Sequence, residues 1–317
     1  MIAAWMRNGV IGLATFVSVA AGAGDDYHLQ PVPVGDSAQV FVGKTEGFAR
    51  GNGGNIVNTG FIVGTDGVIV IDSGPSRAYG EQQRAAIEKQ TALPIRQVFI
   101  THAHPDHFLG DQAYSGIAIS ALPKTIAAIR DHGEALSDNL YRLLGGWMLG
   151  TRLVPPDHAA QPGTVIVAGR KLRLIAAQGH TDADLMIFDE ATRTLFAGDL
   201  VFFQRAPTTP NANIEQWLST LDTIDQLDFQ YLVPGHGPIV QDHAAIAQTR
   251  DYLRWLSTTL HNAATRGWDI QEVMQTPIPE RFRSLSVLDQ EFPRSVTHLY
   301  PDIELNVLPK QTAAKHE

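Results

Sequence analysis

The 317-residue chain contains no cysteine. Disulfides, thiolate metal ligands and cysteine nucleophiles are excluded together. Any metal must therefore be held by His, Asp or Glu. Basic charge is also scarce: 24 Lys and Arg stand against 33 Asp and Glu, a formal net charge of -9. That balance repels a polyanionic partner, and no basic stripe for nucleic acid is present. Long apolar runs are missing except near the N-terminus, where Gly9 to Ala20 is uncharged. Arg7 precedes this run and Ala21-Gly22-Ala23 follows it, a small-x-small cleavage pattern. The layout is that of a secretory signal peptide over residues 1–23, and the run is too short for a transmembrane helix. The expectation is a periplasmic or secreted protein with no stable membrane span after cleavage.

The composition is 44% hydrophobic, enough for a substantial core over one large or two small domains. Residues 24–37 are polar and hold two prolines, Pro31 and Pro33, which predicts an irregular mature N-terminus. Short strands dominate from Ala38. Gln39–Val42, Asn55–Val63 and Val68–Ile71 come first, the last two joined by the hairpin signal Gly64-Thr65-Asp66-Gly67. Ser76 can cap a helix to about Lys89. Strands at 96–100 and 117–120 follow, then helix at 124–132 and an inserted helical segment at 137–153. A second set of strands occupies 165–168, 171–176, 185–188 and 194–197. Ile214, Trp217, Leu218, Leu221 and Ile224 recur at helical spacing. After a strand at 230–233, helices close the chain. The organisation expected is one domain over 38–240 with a helical extension, 241–317, packed on it.

The richest stretch is Thr101-His102-Ala103-His104-Pro105-Asp106-His107. It joins the strand at 96–100 to a short helix. In extended backbone, side chains two apart point the same way, so His102 and His104 can reach one ion. Pro105 suits the first turn of a helix, which turns Asp106 and His107 toward a second point nearby. Neutral imidazoles and carboxylates suit zinc, and also iron or manganese. Three later positions repeat one layout of strand, glycine and ligand: Gly179-His180, Gly198-Asp199 and Gly235-His236. Seven ligands exceed the needs of one tetrahedral ion. They divide into His102, His104 and His180 for a first metal and Asp106, His107 and His236 for a second. Asp199, with two oxygens to share, bridges them.

At this point the sequence resembles the metallo-β-lactamase superfamily. THAHPDH (101–107), GHT (179–181), GD (198–199) and GHG (235–237) occur in the family's order. The resemblance implies an α/β protein, a four-layer αβ/βα sandwich with C-terminal helices and a dinuclear site at one edge. The bridging Asp199 is similar to the glyoxalase-II pattern rather than to the true lactamases. The proline–glycine common after GHT is replaced by Asp182-Ala183. The stretches at 48–64, 138–148, 198–210 and 295–301 resemble the quinoprotein relay system zinc metallohydrolases and the SoxH-like group. That resemblance implies a periplasmic setting beside a quinoprotein dehydrogenase system.

The expected activity is that of a periplasmic dinuclear zinc hydrolase with two Zn²⁺ per chain. A metal-bridging hydroxide, available near neutral pH, attacks a small ester, thioester, lactone or related substrate, and Asp106 orients it. Thr181 and Asp72 are candidate outer partners of the ligands. Candidate substrate contacts are Asn52, in a glycine-rich loop able to act as a lid, and Tyr141, Arg205 and Thr208. Two alternatives remain: a mononuclear iron persulfide-type oxygenase, and a non-catalytic metal-binding accessory protein of the dehydrogenase system.

Overall fold

The computed structural model describes residues 26–307, so the expected signal peptide lies outside the described residues. Among the described residues no helix is long and apolar enough to cross a membrane. Strands β1 (Pro31–Pro33), β2 (Ala38–Phe41), β3 (Thr59–Val63) and β4 (Val68–Ile71) open the first sheet. Helix α1 (Arg77–Gln90) follows, capped by Ser76 as expected. Then come β5 (Ile95–Phe99), the single turn α2 (Pro105–Phe108), β6 (Ala118–Ala121), helix α3 (Pro123–Leu144) and β7 (His158–Ala159). These seven strands lie side by side in chain order. The second sheet holds β8 (Gly163–Val167), β9 (Arg170–Ala177), β10 (Asp184–Asp189), β11 (Thr194–Phe202) and, after α4 (Ile214–Ile224), β12 (Tyr231–His236). Its order is β12-β11-β10-β9-β8. Helices α5 (Ala244–Thr265), α6 (Ile270–Met274) and α7 (Leu288–Val307) finish the chain.

Alternation along the strands builds the layers. Ile62, Ile69 and Ile71 face the second sheet, where they meet Leu172, Leu185, Ile187 and Phe196. Their neighbours Phe61, Val68 and Val70 point the other way, onto Phe108, Ile126, Ile129 and Leu140 beneath α1 and α3. The far face of the second sheet buries Leu200, Phe202, Trp217, Leu253, Leu256, Phe292 and Val296 between β11 and helices α4, α5 and α7. The result is the expected sandwich of helices, sheet, sheet and helices, with α5–α7 sharing one continuous core with the second sheet.

Three local expectations are corrected. Residues 31–33 form an edge strand, with Pro31 opposite Phe41; proline is tolerated there because an edge leaves its missing N–H unneeded. The two helical pieces around 124–153 are one helix to Leu144, followed by a 3-10 turn at Gly145–Met148. Gly133 does not break it, because a Cβ there would lie 2.6 Å from Leu153 Cδ1; the glycine serves close packing. Finally, β11 does not stop at Ala197 but runs nine fully buried residues to Phe202. Paired with β10 on one side and β12 on the other, it is a central strand covered on both faces. Asp199 thus sits inside a strand, at a register shift between Gly198 and Phe202.

Candidate metal centre

The C-terminal end of β5 and the first turn of α2 carry the ligand-rich stretch. His104 is the N-cap of α2 in extended conformation and Pro105 occupies its first position. The turn buries Asp106 and His107, with Asp106 still reaching the cavity above. His180 lies in the β9–β10 connection, Asp199 in β11 and His236 at the end of β12. All seven expected ligands come together. Among the described residues the donor atoms form two groups, His102, His104, His180 and Asp199 in one, and Asp106, His107 and His236 in the other, with atoms in each within 4.8 Å of one another.

In the first group His104 Nδ1 lies 3.0 Å from His102 Nε2 and 2.8 Å from His180 Nε2. Asp199 Oδ2 is 3.3 Å from His180 Nε2 and 3.8 Å from His102 Nε2. The same oxygen is 3.3 Å from His236 Nε2 in the second group, while Oδ1 is 3.2 Å from His107 Nε2. Asp106 Oδ2 stands 3.4 Å from His236 Nε2 and 3.8 Å from His107 Nε2. One carboxylate therefore faces both groups at once.

The outward ring nitrogens fix which inward nitrogens carry lone pairs. His236 Nδ1 donates to the Ile56 carbonyl at 2.7 Å, and His107 Nδ1 donates to Asp72 Oδ2 at 2.7 Å. His104 Nε2 donates to Asn211 Oδ1 at 3.1 Å. The Thr101 hydroxyl gives its proton to Asp72 Oδ2, so at 3.0 Å from His102 Nδ1 it can only accept. Four rings are thus anchored at their outward nitrogens so that their inward nitrogens converge. His180 is steered differently: its ring lies edge-on to Trp217 with centroids 5.2 Å apart. Trp217 is itself anchored by an indole N–H donating to the Leu200 carbonyl. His236 stacks on Phe202, 5.2 Å between centroids.

The electrostatics call for a cation. Burial holds His102, His104 and His180 below the ordinary imidazole range, so they stay neutral and able to ligate. Burial also pulls His107 down, but Asp72, Asp199 and Asp106 outweigh it and raise that ring well above its usual value. Burial works against ionising Asp199, yet the histidines, led by His236 and His107, hold its carboxyl well below the usual range. Asp199 Oδ1 and His107 Nε2 are buried and neither makes an aligned hydrogen bond among the described residues. Converging imidazole nitrogens beside an unsatisfied buried carboxylate oxygen fit divalent metal, which His102, His104 and His180 would hold on one side and Asp106, His107 and His236 on the other, with Asp199 facing both.

Asp72 is the keystone of this support. It ends β4 with φ 57°, a left-handed conformation that aspartate tolerates better than most residues. From there its carboxylate takes hydrogen bonds from Thr101 N, Thr101 Oγ1 and His107 Nδ1. Thr181, the other expected outer partner, turns instead to Asp184. Asp72→Ala is expected to weaken metal binding by roughly 10- to 100-fold, as for other groups that orient ligands. Competition with a chromophoric chelator measures it, and unchanged affinity would remove the orienting role.

A cavity of about 450 Å³ opens over the ligands, its wall including His104, Asp106, Asp199 and His236. Of the expected substrate contacts, Arg205 and Thr208 line it. Asn52 and Tyr141 do not, and both expectations are corrected. The Asn52 amide is consumed inside its own loop: it donates to Glu46 and to the Gly47 carbonyl and accepts from Ala49 N and Gly54 N. That loop is no free lid. Trp147 Nε1 donates to the Arg50 carbonyl and Tyr27 Oη to the Gly53 carbonyl. Tyr141 is 51% exposed on the outer side of α3, whereas Leu136, Asn139, Leu140 and Leu143 form that part of the wall. Sequence reasoning missed Asn211, and it missed Glu291 and Arg294 of α7, which also line the cavity. No local motif marks them.

Comparison with known proteins agrees with this architecture. The chain is 21% identical over 278 residues to a linear primary-alkylsulfatase of a Pseudomonas species, covering 74% of this chain and 52% of that one. It therefore spans about half the length of that relative. It is 26% identical over 206 residues to an acyl-coenzyme A thioesterase of Bos taurus, covering 58% of this chain and 74% of the relative. Among solved structures, a metallo-beta-lactamase from Pontibacter korlensis superposes with TM-score 0.58 at 20% identity, over 71% of this chain and 99% of that one, a likeness of fold. A model of the Metallo-beta-lactamase superfamily matches residues 52–236, more than half of the chain and the whole span from the cavity loop to the last ligand, and the chain belongs to that superfamily.

Proposed function

We propose that the chain is a dinuclear metallohydrolase, most suited to zinc, acting on a small ester, thioester, lactone or related substrate. The observation that carries this reading is Asp199, whose two oxygens face the two ligand groups. A histidine-rich donor set with carboxylates and no sulfur suits zinc and also accommodates iron or manganese. When bound, such ions supply Lewis acidity, acidifying water and polarising the substrate's acyl oxygen. The chain's own groups do the rest. Asp106, on the cavity wall, accepts a hydrogen bond from the attacking water and sets its direction. Asn211 keeps His104 in its ligating tautomer. The apolar wall at Phe48, Ile56 and Leu140 excludes bulk water from the bond being cut.

Relatives whose names record a thioesterase and an alkylsulfatase support hydrolysis as the reaction class. Assignment to the quinoprotein-associated, SoxH-like group, to the periplasm and to a dehydrogenase partner rests on the motif stretches and the N-terminal apolar run. A mononuclear iron oxygenase would leave Asp106, His107 and His236 without a task, although they are as buried and as well oriented as the first group. Elemental analysis of protein purified without added metal, followed by a panel of esters, thioesters, lactones and alkyl sulfates, tests the proposal. The expected result is two ions per chain, with turnover abolished by chelation and restored by zinc. Each ion present at 1,000 times its dissociation constant also stabilises the fold by roughly 4 kcal/mol, so chelation lowers the melting temperature. One iron, no zinc and consumption of a persulfide would overturn the hydrolase.

A further inference from the structure

The cavity has a charged end that metal binding does not use. Arg205, in the loop after β11, is 3% exposed. Its Nε and Nη1 have no hydrogen-bond partner among the described residues. Its guanidinium lies 5.7 Å over the Phe202 ring, and the side chain forms part of the cavity wall together with Asp106 and Asp199. The nearest carboxylate is Glu291 of α7, whose Oε1 is 3.8 Å from Arg205 Nη2, beyond hydrogen-bonding distance. That oxygen is already taken by the Thr208 hydroxyl at 2.9 Å. One turn further along α7, Arg294 places Nη1 3.7 Å from the same oxygen and also lines the cavity. Two guanidinium groups thus share one carboxylate oxygen without bonding to it. Nε and Nη1 of Arg205 are sealed from the cavity, so the edge that meets the wall is Nη2; a buried cation is costly, and a planar oxyanion entering the cavity would offset its charge through charge-assisted hydrogen bonds to that edge and to Arg294. Opposite this end the wall is apolar, built from Phe48, Leu136, Leu140 and Leu143.

We propose that Arg205 and Arg294 form a carboxylate-recognition pair, so that the substrate carries a carboxylate remote from the bond that is cut and an apolar body between the two. The substrate class rests on the hydrolase reading; the anion site itself does not. Thr208 fixes the Glu291 carboxylate, which sets the charge between the two guanidinium groups, so both are positioning residues.

The test uses the metal-loaded full chain and a matched pair, the thiophenyl monoester of glutarate and the thiophenyl ester of pentanoate, which differ only in a terminal carboxylate or methyl. The anionic member is expected to have at least tenfold higher kcat/KM, with the advantage in KM. Arg294→Gln reduces the ratio. The charge-balanced pair Arg205→Met with Glu291→Gln, which leaves no unpaired buried charge, brings it close to one at wild-type metal content. A ratio near one in the wild type overturns the proposal. So does a ratio unchanged in both variants, which would place the carboxylate on the metals instead. Calorimetric titration with 4-phenylbutanoate and 4-phenylbutanamide reads the site without turnover. If neither ester is cleaved yet the acid binds at least tenfold tighter in an Arg205-dependent way, the hydrolase reading falls and the anion site stands. Equal binding of acid and amide overturns the anion site.

Discussion

Asp199→Ala is expected to empty both metal positions, not one. Among the described residues the carboxylate is the one group whose oxygens approach His102, His180, His236 and His107 alike, at 3.2 to 3.8 Å. On the proposed dinuclear reading, removing it would delete a ligand from each position and the negative charge that balances cations in a buried site. Groups that merely orient ligands cost 10- to 100-fold in affinity when lost, so a shared ligand should cost roughly 100-fold or more at each ion. Elemental analysis after gel filtration should find well below one ion per chain, and kcat/KM should drop by about three orders of magnitude or more, toward background. Asp199→Asn keeps the shape but offers only one oxygen and no charge, and should retain one ion at most. Two tightly held ions in Asp199→Ala would end the bridging assignment.

Gly235→Ala should do comparable damage without altering any ligand. A Cβ at this position would fall 1.9 Å from Asp199 Oδ1 and 2.8 Å from the Asp199 backbone nitrogen. Real Cβ atoms do not approach so closely, so either the carboxylate rotates away or β11 and β12 separate. Full separation is opposed by the parallel pairing of the strands, and β12 is held in place by the backbone N–H of Asn58, which donates to the Gly235 carbonyl at 2.8 Å. The carboxylate therefore rotates away and the β11 backbone shifts locally, because the Asp199 nitrogen and the Gly198 carbonyl carbon also lie 2.8 Å from the added Cβ, and metal content should fall as in Asp199→Ala while circular dichroism stays native. Gly51→Ala is the control, since a Cβ there meets nothing within 4 Å. Normal metal content in Gly235→Ala would show that the strand edge is softer than the close approach implies.

These two positions also mark what can be read from the chain before folding. The ligands were legible because each sits beside a glycine or within one short run at a strand end, where spacing alone dictates direction. The sandwich was legible because Phe61-Ile62 and Ile69-Val70 alternate between two cores. The reason for glycine at 235 was not legible in its conformation, because its role is to leave room for a side chain from a strand 36 positions earlier. The loop at 48–55 misled for the same reason. Its three glycines suggest freedom, but Trp147 and Tyr27, distant in sequence, hold it. Asn211, Glu291 and Arg294 reach the cavity only because α4 and α7 close over the second sheet, and tertiary packing of that kind leaves no periodic trace.

The span shared with the superfamily ends at residue 236, whereas part of the cavity wall comes from Gln290, Glu291 and Arg294 on α7. The candidate ligands and one of the surfaces that a visiting molecule must pass therefore lie on separate stretches of polypeptide. Substitutions accumulating in the last helix can change which molecules are admitted while every imidazole and carboxylate at the reaction centre stays in place. In such a molecule, selectivity can drift at little risk to reactivity.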